Sequence, residues 1–124
     1  MIQLDTSFLI RALLAGSDED KALRQWLRRR ESLTMSAIGW TEFVCGPVTP
    51  VAADAARRLV GEPLPFTAVE SDRAAELFSE TGRRRGSLVD CMIAATAIEA
   101  GDRLATSNSS DFSRFLRLGL EIAS

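Results

Sequence analysis

Short apolar runs alternate with longer segments of helical spacing from one end of the chain to the other. Residues 2–4, 33–35, 66–69 and 103–106 read as strands, and 120–122 as a closing edge strand. Helices are expected between them. Asp5-Thr6-Ser7 can cap one that runs to Gly16. Asp18 opens a second, which ends in Arg28-Arg29-Arg30. Ser36 caps a third over 37–45, stopped by Gly46-Pro47, and Pro50 starts a fourth through Val60. Ser71 or Asp72 caps a fifth, and Ser87 opens the most apolar one, ended by Gly101; a short turn is expected over 111–116. Small oxygen-bearing side chains favour helix starts because they accept N–H groups that the first turn leaves free. Parallel strands need long crossovers, which helices supply. The alternation therefore predicts an α/β domain with a mostly parallel central sheet and helices on both faces. The chain's 124 residues suit a single domain, 1–124, without repeat or linker.

Composition narrows the chemistry. Histidine is absent, which excludes imidazole acid–base catalysis, Ser-His triads and the usual zinc sites. Cys45 and Cys91 lie far apart in apolar helical stretches and read as buried free thiols of a reduced compartment. The formal net charge of −2 is not that of a protein that coats nucleic acid, so such contact must be local. Lys21 is the only lysine; arginine dominates the cations, and its planar fork suits phosphate. No basic segment precedes Asp5 and Arg11 interrupts the first apolar run. Neither a signal peptide nor a membrane span is expected, and the protein reads as cytoplasmic.

Three carboxylates stand alone in apolar surroundings. Asp5 is the only charge between Met1 and Ile10, Glu42 between Ser32 and Ala53, and Asp90 between Gly86 and Ile98. Burying a lone carboxylate is costly unless something pairs with it. If the three converge, a divalent cation relieves their repulsion most simply. Asp5 follows the first strand and Asp111 the last-but-one, and open α/β sheets place their sites beyond the carboxyl ends of strands. An all-oxygen set suits Mg²⁺ or Mn²⁺. Singly, each has a plainer reading: Asp5 and Asp111 as caps or turn residues, Glu42 as a solvated helix residue, Asp90 as an acid that suits a helix's first turn.

Other charged and aromatic groups divide in the same way. Arg28-Arg29-Arg30 reads as a solvated helix end, whereas Arg83, Arg84 and Arg85 precede the Asp90 helix and could hold RNA phosphates. Trp26 and Trp40 fall at helical spacing with apolar neighbours and read as core. A phosphatase of the haloacid dehalogenase type needs a second aspartate where Ser7 stands, and a receiver domain needs a paired acidic start and a late lysine.

Four segments, in order, resemble the motifs of the PIN-domain family. They are Ile2-Gln3-Leu4-Asp5-Thr6-Ser7-Phe8-Leu9, Met35-Ser36-Ala37-Ile38 with Thr41-Glu42-Phe43, Asp90-Cys91-Met92-Ile93-Ala94-Ala95, and Leu104-Ala105-Thr106-Ser107-Asn108 through Asp111-Phe112. Length and opening resemble VapC-type toxins of VapBC toxin–antitoxin systems. The resemblance implies a doubly wound fold and Mg²⁺- or Mn²⁺-dependent cleavage of RNA. It implies a core acidic set of Asp5, Glu42 and Asp90, with Asp5 and Asp90 as direct metal ligands and Thr6 in support. Some members carry an aspartate where Asn108 stands, so the neutral amide leaves one or two ions open. Asp111 would act through water or cap the turn. A VapB-like antitoxin and a homodimer are also implied. Two other readings stay open: a non-catalytic PIN module that works with an antitoxin at operator DNA, and a PIN nuclease that is not a toxin.

Overall fold

A computed structural model describes residues 1–124. Four strands, β1 (Ile2–Leu4), β2 (Leu33–Thr34), β3 (Arg103–Ala105) and β4 (Glu121–Ile122), form one sheet in the order β2-β1-β3-β4. Every pairing is parallel, with Ile2 opposite both Leu33 and Arg103. Seven helices connect them: α1 (Thr6–Ala12), α2 (Asp18–Arg28), α3 (Ala37–Cys45), α4 (Pro50–Val60), α5 (Ala68–Glu80), α6 (Leu88–Ala100) and α7 (Ser109–Phe112), with a 3-10 segment at Ser113–Leu118. The expected α/β architecture is therefore the one that forms.

Side-chain alternation along each strand divides the core in two. Ile2 and Leu4 of β1 join Phe8, Leu9, Trp26, Phe43 and Val60 from α1 to α4. Gln3 points the other way, where its amide donates to the Thr96 carbonyl (3.3 Å) and to Asp102 Oδ2 (3.0 Å). On that second face Leu104 packs with Ala74, Leu77, Ile93, Phe112 and Phe115. A period of two thus gives a sheet this short two covered faces. Trp26 is core, stacked on Phe8 with ring centroids 5.4 Å apart. Trp40 is half-buried beside Phe43, with the Arg57 guanidinium 5.4 Å from its ring.

Three expectations need correction. Residues 66–69 form no strand, because α5 begins at Ala68, ahead of Ser71 and Asp72. The Thr67 hydroxyl donates to the Glu70 carboxylate, the Thr-x-x-Glu arrangement that marks a helix start. Leu64 instead makes a single parallel bridge to Ser36. Cys45, the last residue of α3, is exposed and only Cys91 is buried. The first helix stops at Ala12, short of Gly16. No helix is long and apolar enough to cross a membrane.

Candidate active site

From β1 the chain crosses to β2 on one side and later to β3 on the other, so strand order reverses at β1. Crevices open at such a switch point, beyond the carboxyl ends of the two diverging strands. Asp5 stands directly after β1 and Thr106 directly after β3, with the Asp5 amide donating to the Ala105 carbonyl (2.9 Å). A cleft of about 260 Å³ lies there, and Asp5, Thr6, Glu42, Asp90 and Asn108 all line it. Convergence expected from lone charges is thus met for Asp5, Glu42 and Asp90, which arrive on three different elements.

Asp5 is 3% exposed. It caps α1, accepting from the Phe8 amide (2.8 Å) and the Ser7 hydroxyl (2.8 Å) at Oδ1. Its cap role and its place in the cleft are not alternatives: one oxygen holds the helix start. Burial pushes the carboxyl above the ordinary aspartate range; Thr106, Phe8 and Ser7 offset this in part, and the charge of Glu42 adds to it. No cation pairs with it.

Glu42 departs from the expectation of a carboxylate in apolar surroundings: it is exposed, because its α3 neighbours Gly39 and Phe43 take the buried side. It still faces the cleft. The Thr6 hydroxyl stands 3.0 Å from both Glu42 Oε1 and the Gly39 carbonyl, tying α1 to α3. A Cβ at Gly39 would meet the Met35 side chain at 3.2 Å, so a small residue suits this approach.

Asp90 sits in the first turn of α6, half-buried, with Arg114 Nη2 3.6 Å from Oδ2. Burial raises its pKa. Arg114 opposes that shift, and the charges of Asp111, Glu42 and Asp5 reinforce it. Asp90 therefore senses the other three acids. Asp111 itself lines an adjoining cleft rather than the acidic one, and Asp90 borders both. Asn108 begins α7, its amide donating to Thr106 Oγ1 (2.9 Å).

The donor set is all oxygen, the chemistry of a hard divalent cation. As placed, no three acidic side chains stand close enough to bracket an ion directly. Mg²⁺ keeps several waters and is commonly held by one or two carboxylates, so this spacing suits an ion bound partly through water.

Two contributors escaped sequence reasoning. Ser7 orients Asp5 and also accepts the Ser107 amide (3.1 Å), joining the ends of β1 and β3. Its place two residues after a capping aspartate was the available signal. Arg114 reaches Asp90 from 24 residues along the chain, and nothing local marks it. Of the second arginine triplet, Arg84 and Arg85 line the cleft with Asp111, whereas Arg83 does not. The first triplet is exposed at the end of α2.

The fold is shared with solved structures. The VapBC2 complex of Rickettsia felis bound to a promoter DNA fragment superposes with a TM-score of 0.77 at 23% identity, covering 100% of both chains. VapBC-1 of nontypeable Haemophilus influenzae gives 0.77 at 22%, covering 100% of this chain and 98% of that one. The sarcin–ricin loop cleaving toxin VapC20 of Mycobacterium tuberculosis gives 0.65 at 19%, covering 91% and 94%. No curated protein sequence matches the chain. The family model for the PIN domain matches residues 2–117. That span takes in all four motifs and the whole acidic cleft, and the chain belongs to the PIN-domain family.

Proposed function

We propose that this protein is a divalent-metal-dependent endoribonuclease, the toxin half of a type II toxin–antitoxin pair. One observation carries the reading: Asp5, Glu42 and Asp90 reach a single cleft at the switch point of a PIN fold from three separate elements. Similarity to a toxin that cleaves the sarcin–ricin loop favours RNA as substrate.

In this reading Asp5 and Asp90 hold Mg²⁺ or Mn²⁺ directly. When bound, such an ion lowers the pKa of a water molecule and neutralises charge that builds on the phosphate. The chain supplies position. Ser7 and the Phe8 amide fix Oδ1 of Asp5 and so set the direction of its carboxylate. Thr6 occupies Glu42 Oε1, so Oε2 is available to orient the attacking water and take its proton. Asn108 offers a neutral amide at the rim, and Asp111 adds negative charge from the next cleft. No protein nucleophile is required.

The same reading gives the chain a VapB-like antitoxin, a homodimeric state and a cytoplasmic setting. An apolar groove lined by Ile10, Leu13, Phe43, Val48 and Ala52 supports the protein partner. Ile10 borders both this groove and the acidic cleft, so a segment seated in the groove reaches the acids.

The test is cleavage of a mixed cellular RNA pool by purified protein with Mg²⁺, with Mn²⁺ and with chelator, beside Asp90→Asn. Metal-dependent cutting that the folded variant loses is the expected result. Full activity in Asp90→Asn, or no cutting by folded protein with metal present, overturns the reading. The second outcome turns attention to a module that acts only with its antitoxin on DNA.

A further inference from the structure

Beside the acidic cleft lies a smaller one of about 190 Å³ with no hydrophobic residue in its lining. Arg84, Arg85 and Arg114 line it, together with Ser87, Asp90 and Asp111. We propose that this cleft seats a backbone phosphate of the RNA strand, next along from the phosphodiester held at the acids. The inference rests on the nuclease reading and adds to it the path the strand takes.

Four observations support it. First, Arg84 and Arg85 are exposed and enter none of the ion pairs of the molecule. Three guanidinium groups therefore face two carboxylates, and the Arg84–Arg85 end holds the uncompensated charge. Second, the third cation is already immobilised. The Arg114 guanidinium lies 4.6 Å from the Phe115 ring centroid and donates to the Asp111 carbonyl, and its Nε is buried without an acceptor. A planar fork held in this way loses little freedom when an anion docks.

Third, the arginine turn has a fixed shape. Gly82, Arg83 and Gly86 all take positive φ (85°, 53° and 81°). The Ser87 hydroxyl turns back to donate to the Arg84 carbonyl (2.7 Å) instead of capping α6. The N-terminus of this 13-residue helix thus opens on the cleft without a side-chain cap from Ser87, and such a terminus favours anions. Fourth, Asp90 forms part of both clefts. A strand with one phosphate at the acids has its neighbour within reach of the arginines. Arg83, with its left-handed backbone, is not part of the lining.

The test separates binding from cleavage. A labelled short single-stranded RNA is titrated with full-length protein in chelator, by fluorescence anisotropy, over a series of salt concentrations. Removing Arg84 and Arg85 together (R84A with R85A) should weaken binding about tenfold. It should also flatten the log–log salt slope by about 0.7, the value for one lost phosphate contact to a single strand. R28A with R29A removes equal charge from the other triplet and should leave the slope unchanged. An unchanged slope in R84A/R85A, or an equal drop in both double variants, overturns the inference while wild-type cleavage still upholds the nuclease reading. If wild-type protein neither binds nor cuts RNA, both fall.

Discussion

The two aspartates that flank the acidic cleft are held on opposite plans. Asp5 is oriented by partners within three residues, Ser7 and the Phe8 amide, with Thr106 added from the end of β3, and no cation touches it. Asp90 finds its partner in Arg114, a cation delivered by the far end of the chain, and its side chain remains 32% exposed. A local plan fixes orientation and leaves charge uncompensated. A long-range plan compensates charge and leaves orientation to packing. Together they leave the cleft acidic, with Arg114 the one cation paired to it.

The largest expected effect removes the difference between the two. Asp5→Asn and Asp90→Asn should each lower kcat/KM for RNA by about a thousandfold or more, roughly 4 kcal/mol of transition-state stabilisation. Circular dichroism should show both variants folded. Substantial cleavage by either one would break the parity between the corners.

Stability should then separate them. Arg114→Ala leaves Asp90 without its cation and uncovers the Phe115 ring, and should cost about 1–3 kcal/mol in urea unfolding. Arg84→Ala, an exposed and unpaired change, should stay within about 0.5 kcal/mol. Equal effects would mean that the Asp90 corner does not depend on Arg114. At the other corner, Asp5→Ala removes a cap and should cost about 1 kcal/mol, whereas Asp5→Asn keeps an acceptor for the Phe8 amide and should cost less. If both cost the same, the local plan is wrong.

The smallest effect concerns a support behind Asp5. Glu19 of α2 accepts from the Ser107 hydroxyl (2.6 Å) and from Arg11 Nε (2.9 Å), tying the loop after β3 to α2. The Ser107 hydrogen bond chiefly, and Arg11 with it, holds its pKa below 4.5. A carboxylate lowered by folding adds stability that is complete above that unfolded value and is lost as pH falls through the folded one. Glu19→Gln should therefore flatten the acid side of the stability curve below pH 4.5, by less than about 1 kcal/mol. An identical acid limb in wild type and variant would remove Glu19 from the account.

Legibility followed the same division. The strands at 2–4 and 33–34, the capped start of α1 and the apolar α6 could all be read from periods and caps, which act over a few residues. Residues 66–69 misled because Phe66 and Val69 suit a strand, while the deciding contact, Thr67 with Glu70, belongs to a helix start. The three lone carboxylates do line one cleft. Their surroundings did not follow from that pattern, since Glu42 proved exposed on α3. Neither Ser7 as a bridge between strand ends nor Arg114 as partner to Asp90 could be ranked above its neighbours before the chain was folded.

Spacing and side-chain type along the chain were enough to specify the α/β alternation, the parallel sheet and the isolation of Asp5, Glu42 and Asp90 among uncharged residues, because each is read within one element or its crossover. Packing alone decided that β1 is the switch point, that Glu42 meets Thr6, that Asp111 falls in a neighbouring cleft and that Arg84 and Arg85 stand beside Asp90. The first three join elements tens of positions apart, and Arg84 and Arg85, though five or six residues from Asp90, share its cleft with Arg114 from the far end of the chain. Their geometry depends on how two half-cores seat against one short sheet, and no local pattern encodes that.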